Sequence, residues 1–109
     1  NWSLIYYDRR NASLAPAYDL LSTIAYLPSE TAALKYARTN VMADVDLAEF
    51  AYLADKAMLP KKLVLDTAKQ TVSDFLETWE VEKKNLALTK DVVEAVDGHL
   101  AKLAIMKEA

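Results

Sequence analysis

Residues 46–58, with the sequence DLAEFAYLADKAM, carry the clearest structural signal in the chain. Apolar side chains recur there at intervals of three and four residues, which is the period of one face of an α-helix. These residues are Leu47, Phe50, Ala51, Ala54 and Met58. Asp46 stands directly before them, and Glu49 follows three residues later, which is the spacing of a capping box. The stretch therefore predicts a helix that begins after Asp46.

Two more helices are predicted downstream of this one. Pro60 suits the first turn of the next helix, because its missing N–H has no partner to lose there. The apolar stripe of that helix is Val64, Ala68, Val72, Phe75, Leu76 and Trp79. Thr89 is a candidate cap for a third helix, whose stripe is Val92, Val93, Val96, His99, Leu100, Leu103 and Met106. Short links predict that neighbouring helices pack roughly antiparallel.

The segment upstream of these helices has mixed strand and loop character. Residues 2–7 are rich in aromatic and β-branched side chains, so they predict a strand, and residues 13–15 predict its partner across a polar turn at 8–11. Pro16 should end the pairing because it offers no N–H. A short helix over 19–27 and a short strand over 34–36 are also predicted.

These elements predict an α+β fold that is mostly α-helical. An N-terminal β-hairpin leads into a three-helix unit, with residues 1–46 forming the hairpin and its connecting segment and residues 47–109 the helices. We expect a single unit over residues 1–109. Residue 1 is Asn and a strand-like run begins at once, so we also expect the chain to be a C-terminal piece of a longer protein.

Composition excludes several classes of function. The 109 residues include one glycine, one histidine and no cysteine, with a net charge of −3. Glycine-rich phosphate loops, thiolate zinc sites, disulfides and multi-histidine metal sites are therefore excluded within these residues. The negative charge argues against a dedicated nucleic-acid-binding surface. No run is long and apolar enough to cross a membrane and no signal-peptide pattern is present, so we expect a cytoplasmic protein.

Asn1 and Asp19 form a candidate site at the open end of the predicted hairpin. If the chain turns between Arg9 and Arg10, opposed positions sum to 19 or 20, which places Asn1 beside Asp19. An amide oxygen and a carboxylate can share Mg²⁺. On geometry alone, such a pair is more often structural than metal-binding. His99, on the apolar stripe of the last helix, is likewise more often a packing residue.

The sequence of residues 1–22 resembles that of the HipA-like protein kinases, the toxin subunits of bacterial type II toxin–antitoxin modules. The matching runs are Asn1-Trp2-Ser3-Leu4 and Leu14-Ala15-Pro16-Ala17-Tyr18-Asp19-Leu20-Leu21-Ser22. In that family, an Asp-x-His-x-Lys-Asn loop runs into Phe/Trp-Ser-Leu, and a hairpin then leads to Pro-x-Tyr-Asp. The segment Ala33-Leu34-Lys35 and the helical remainder, from Leu59 to His99, also resemble the family.

The resemblance implies the distal part of a protein-kinase-like C-terminal lobe, with Asn1 and Asp19 as metal ligands. It also implies ATP and Mg²⁺ as cofactors, a helix-turn-helix antitoxin as partner, and a protein substrate such as an aminoacyl-tRNA synthetase. Nucleic acid would be reached only through the antitoxin.

No residue of this chain matches the family's catalytic Asp, His and Lys, so no catalytic residue is assigned and the chain alone is expected to be inactive. The alternatives are a non-catalytic helical protein-interaction module and an inactive kinase relative.

Overall fold

A computed structural model describes residues 2–29 and 31–108. Two short antiparallel strands, β1 (Leu4–Ile5) and β2 (Ser13–Leu14), form the N-terminal hairpin. A 3-10 turn at Met42–Asp44 leads into four helices. These are α1 (Leu47–Lys56), α2 (Lys61–Asn85), α3 (Lys90–Leu100) and α4 (Ile105–Glu108). The predicted α+β, mostly helical fold is confirmed.

The start of α1 lies where the capping residue predicts it. The Asp46 side chain accepts a hydrogen bond from the Glu49 backbone N–H at 2.7 Å. The backbone N–H of Leu47 donates to Glu108 Oε2 at 2.9 Å. Two carboxylates thus satisfy N–H groups that the first turn of a helix leaves without internal partners.

The other end of α1 is closed by a residue in the left-handed region. Met58 has φ 54°, and the Leu59 backbone N–H bonds back to the Ala54 carbonyl at 2.9 Å. Glycine is the usual residue at such a position because it has no Cβ to clash. The Met58 side chain is 91% exposed. Pro60 immediately precedes α2 and does not lie within its first turn.

The buried core lies where α1, α2 and α4 meet. Ala68 and Val72 of α2 and Ile105 of α4 are its buried residues. The partly buried side chains around them are Leu47, Phe50, Leu76, Leu103 and Met106. No large side chain among the described residues is fully buried. An apolar groove of about 440 Å³ remains open between α1 and α2, lined in part by Leu53 and Leu63.

The last predicted helix is interrupted. Leu103 and Met106 belong to its predicted stripe, but α3 ends at Leu100 and a separate short helix follows. The cause lies in two backbone hydrogen bonds: Ala104 N–H donates to Ala43 O and Ile105 N–H donates to Val45 O, both at 3.1 Å. These N–H groups are therefore not available to continue the α3 ladder.

Two short elements predicted upstream do not form. Residues 19–27 contain only a single turn, closed by the Leu27 N–H on the Thr23 carbonyl at 2.8 Å. Asp19 has φ 52°, which a right-handed helix cannot include. Residues 34–36 form no strand; the neighbouring pairing is an isolated bridge between Thr31 and Val41.

Candidate metal-binding hairpin

The register of the hairpin is fixed by three observations. Leu4 is paired with Leu14 and Ile5 with Ser13, and the Ala15 N–H donates to the Ser3 carbonyl at 2.9 Å. Opposed positions thus sum to 18. The prediction of 19 or 20 was wrong by one or two positions, because the turn centres on Arg9 and not between Arg9 and Arg10.

Asp8 holds the turn of this hairpin. Its Oδ1 accepts from the backbone N–H groups of Arg10 at 2.9 Å and Asn11 at 2.8 Å, and its Oδ2 accepts from Asn11 Nδ2 at 2.6 Å. The hydrogen bonds from the Asn11 and Arg10 backbones lower the pKa of Asp8 to about 2. Arg9, which lies between Asp8 and Arg10, has φ 61°, in the left-handed region. The Asp8 carboxylate thus stabilises the turn.

A side-chain contact joins the other end of the hairpin. Ser3 Oγ and Tyr18 Oη lie 2.7 Å apart, within hydrogen-bond distance. Ser3 directly precedes β1, and Tyr18 lies four residues beyond β2. The contact therefore holds the chain after Pro16 alongside the start of the hairpin, although Pro16 cannot continue the strand ladder.

Asp19 follows Tyr18 in a left-handed backbone conformation, and its side chain is exposed. Non-glycine residues in this region carry backbone strain, which is concentrated at functional sites in proteins, and Asp adopts it more readily than most residues. Asn1, the other predicted ligand, lies outside the described residues. The structure thus locates one of the two predicted ligands and leaves their pairing a prediction.

The Asp19 carboxylate has the chemistry that Mg²⁺ requires. Mg²⁺ is commonly held in proteins by one or two carboxylates together with water and substrate phosphates. Within residues 2–29 and 31–108, no group of three or more His, Cys, Asp or Glu side chains could form a complete cage for a metal ion. A cation at Asp19 would therefore need further oxygen ligands besides this carboxylate.

Glu49 of α1 fixes the loop that follows the Asp19 segment. Its Oε1 accepts from the backbone N–H groups of Ala37 at 3.0 Å, Thr39 at 3.1 Å, and Arg38. Its Oε2 accepts from Arg38 Nε at 2.8 Å. Glu49 is 3% exposed, yet every one of its oxygens is bonded. A buried carboxylate with these partners anchors residues 37–39 to the helix.

The role of Glu49 was missed by sequence reasoning. The capping-box spacing predicts that this side chain reaches back to its own helix start, and the structure shows it turned towards residues 37–39. The hydrogen bond from the Arg38 backbone N–H, helped by those of the Thr39 backbone and the Arg38 side chain, lowers the pKa of Glu49 to about 2. No periodic pattern links residues 37–39 to Glu49, so the sequence offers no signal for this contact.

Helices α2 and α3 are joined by a polar contact between their side chains. Trp79 Nε1 donates to Asp97 Oδ1 at 2.7 Å, and Lys83 Nζ lies 3.4 Å from Asp97 Oδ2. The indole hydrogen bond, with help from Lys83, lowers the pKa of Asp97, and the hydrogen bond to Glu80 raises the pKa of Lys83. His99, on α3, is half-buried and lines a cavity with Tyr36, in keeping with the packing interpretation.

Comparison with known proteins identifies the family. The family model for the HipA-like C-terminal domain matches residues 1–79. The chain belongs to this family. The HipA-like match includes the hairpin, α1 and most of α2, and it confirms the resemblance that residues 1–22 carry.

A relative with a kinase name supports the same assignment. The protein of Sinorhizobium fredii (strain NBRC 101917 / NGR234) named "Putative kinase Y4dM" is 51% identical over 109 residues, which are 99% of this HipA-like chain and 27% of that protein. The chain thus spans about a quarter of the length of the curated relative it matches. No solved structure matches it. Among the described residues, no helix is long and apolar enough to cross a membrane.

Proposed function

We propose that this HipA-like chain is the C-terminal part of an ATP- and Mg²⁺-dependent serine/threonine protein kinase that acts as the toxin of a toxin–antitoxin module. The observation that carries the proposal is the position of Asp19. It is exposed, it has a left-handed backbone, and it directly follows Tyr18, whose hydroxyl contacts Ser3 two residues after Asn1.

Each part of the hairpin has a role in this proposal. Asp19 and Asn1 would hold the metal, and the Ser3–Tyr18 contact would orient the segments that carry them. Mg²⁺ held by Asp19 and Asn1 would supply positive charge to stabilise the negative charge of the transferred phosphoryl group. The Asp8 turn keeps the two strands in register at the far end.

The partners follow from the family resemblance. The substrate would be a protein of translation, such as an aminoacyl-tRNA synthetase, and the toxin would pair with a helix-turn-helix antitoxin. Contact with DNA would be made through the antitoxin, in keeping with the net charge of −3 on this chain. The compartment proposed for all of these partners is the cytoplasm.

The test replaces Asp19 with Asn in the full-length protein that carries this chain. Asp19→Asn should abolish transfer of labelled phosphate from ATP to protein and abolish growth arrest. The far-UV circular dichroism spectrum, which reports secondary structure, should stay unchanged. The matched control is Asp91→Asn, which removes an exposed carboxylate from the first turn of α3 and should leave activity intact. Full activity in Asp19→Asn would refute the proposed metal site.

The chain alone should show no transfer of phosphate. Phosphoryl transfer depends on positioning of the acceptor, nucleotide and metal together, and no residue here matches the family's catalytic Asp. Phosphate transfer by the purified 109-residue chain would contradict the assignment of roles given above.

A second candidate function is a helical protein-interaction module. It is favoured by the open apolar groove between α1 and α2 and by the exposed side chains of Met58 and Leu63 at that end of the helices. Exposed apolar patches mark sites of protein association. Loss of growth arrest in Asp19→Asn favours the kinase. Growth arrest that survives this change but is lost when residues of the groove are replaced favours the interaction module.

A further inference from the structure

A cavity lies between the segment that follows Asp19 and helix α3. Its volume is about 200 Å³, and it is lined both by residues 21–24 of that segment and by His99 of α3. Leu21, in its wall, is 75% exposed, so the cavity lies at the surface. Consecutive Cα atoms are about 3.8 Å apart, so the wall begins within about 8 Å of Asp19 along the chain. A group bound there is a neighbour of the candidate metal ligand.

Three polar side chains meet at this cavity without a protein partner. Within residues 2–29 and 31–108, no hydrogen bond is made by Ser22 Oγ, Thr23 Oγ1 or the His99 imidazole. Ser29, which also lines the cavity, is already bonded, because its Oγ lies 3.0 Å from Thr31 Oγ1. A hydroxyl both donates and accepts, and a neutral imidazole has one donor and one acceptor. The cavity thus offers hydrogen bonds of both kinds to one ligand group.

The rest of the lining selects the kind of group that fits. Among the described residues, no Asp, Glu, Lys or Arg lines this cavity, so a charged group entering it would lose water without meeting an opposite charge. An apolar group would pack on Leu21, Ile24 and Met42, but it would displace water from the polar groups and leave them unbonded. A carboxamide carries two donors and an acceptor on a neutral group. The cavity therefore matches the side chain of asparagine or glutamine.

A second cavity continues the first along α3. Its volume is about 260 Å³, and it shares the lining residues Ile24 and His99 with the first. Pro28 of the segment and Gly98 of α3 also line it. The two cavities thus adjoin and form one cleft between residues 21–29 and α3. Pockets for whole small molecules occupy roughly 300–1,000 Å³, whereas two smaller adjoining cavities suit successive side chains of a peptide.

We propose that this cleft binds an extended segment of the protein substrate, and that Ser22, Thr23 and His99 bind an asparagine or glutamine side chain of that segment. The inference rests on the proposed kinase function, because a protein kinase must hold its acceptor segment beside the metal. Residues of an extended chain are about 3.3 Å apart. Since the cleft begins so close to Asp19, the amide residue lies within about three positions of the serine or threonine that accepts the phosphoryl group.

The test measures binding by the full-length protein and needs no kinase activity. The probes are pools of short fluorescent peptides with a central serine, one fixed residue near it and random residues elsewhere. Fluorescence polarisation measures the binding of each pool. Pools with asparagine or glutamine fixed at one position should bind about tenfold more tightly than pools with leucine, glutamate or lysine fixed there, because two ordinary hydrogen bonds correspond to about this factor.

Variants of the cavity connect this preference to its lining. Ser22→Ala and His99→Phe each remove one polar group and should each reduce the preference for the amide pools. The matched control is Ser73→Ala, which changes an exposed serine of α2 and should keep the full preference. Equal binding of all pools by the unmodified protein, or a preference that survives in both cavity variants, would overturn the proposal.

The outcome is separable from that of the proposed metal site. Asp19→Asn changes no group that lines the cleft, so this variant should keep the preference for the amide pools even though it loses phosphate transfer. Phosphate transfer that survives in Asp19→Asn would refute the metal site and leave the measured peptide preference as it stands. Loss of transfer together with equal binding of all pools would support the metal site and refute the cleft.

Discussion

One carboxylate, that of Glu49, binds both the main chain and the side chain of Arg38. The contact spans eleven positions of sequence and ties an irregular loop to the first turn of α1. Few of the described side chains are buried, and Glu49 is the one charged group among them. The loop after the candidate metal ligand therefore depends on a polar anchor more than on apolar packing.

The first prediction concerns the pH dependence of this anchor. Glu49 has a pKa of about 2 in the folded chain against an ordinary value of 4.5. The unfolded chain thus binds the proton more tightly, so Glu49 contributes its full stability above about pH 4.5, and the contribution is lost as pH falls towards 2. Glu49→Gln should lower the urea midpoint at pH 7, and the difference from the unmodified protein should shrink as the pH is lowered.

The control for this series is Glu77→Gln, which changes an exposed carboxyl group of α2. Its urea midpoint should follow that of the unmodified protein at every pH. A difference between Glu49→Gln and the unmodified protein that stays constant down to pH 2 would show that the ionised carboxylate is not the source of the stability.

The second prediction concerns the start of α1. Asp46→Ala removes the side-chain acceptor for the Glu49 N–H and should lower the free energy of unfolding by about 0.5–2 kcal/mol. Asp46→Asn keeps a side-chain oxygen at the same place and should cost much less. Urea unfolding followed by circular dichroism measures the free energy of unfolding of both variants. Equal decreases in the two variants would mean that the cap hydrogen bond does not account for the loss of stability.

The third prediction contrasts a buried and an exposed apolar residue. Ile105 is 8% exposed and packs with Val72, whereas Leu34 is 82% exposed. Ile105→Ala should lower the free energy of unfolding by about 2–5 kcal/mol through lost burial and a residual cavity. Leu34→Ala should change it by less than about 0.5 kcal/mol. A similar loss in both variants would contradict the described core.

The fourth prediction uses the left-handed residue after α1. Met58→Gly should raise the free energy of unfolding by up to about 1 kcal/mol, because glycine adopts φ 54° without steric cost. Ala57→Gly changes the preceding residue, whose φ of −85° suits alanine, and should lower stability instead. Thermal melts of the two variants should therefore shift in opposite directions, and shifts of the same sign would argue against the assigned backbone.

The elements that sequence reasoning predicted correctly are those fixed by local signals. Asp46 places the start of α1 because its side chain acts on the backbone three residues away. The hairpin follows from the aromatic and β-branched composition of residues 2–7 and the polar turn after them, and only its register was displaced. The family resemblance located Asp19, but neither spacing nor composition could show its left-handed backbone.

The errors arise where distant backbone groups compete with local preference. The predicted third helix continues to Met106, yet the N–H groups of Ala104 and Ile105 bond to carbonyls some sixty residues earlier. The Glu49 contact is of the same kind, since the residues it binds lie in a loop with no periodic pattern. Such partners are specified by the folded chain as a whole, and a window of sequence does not contain them.

The two carboxylates at the start of α1 protect two different backbone amides from hydrogen exchange. The Glu49 amide is protected by Asp46, three residues away, and the Leu47 amide by Glu108, sixty-one residues away. Solvent exchange at Leu47 therefore requires only that α4 detaches, whereas exchange at Glu49 requires the helix start itself to open. The ratio of the two exchange rates reports how often the last helix leaves the rest of the chain.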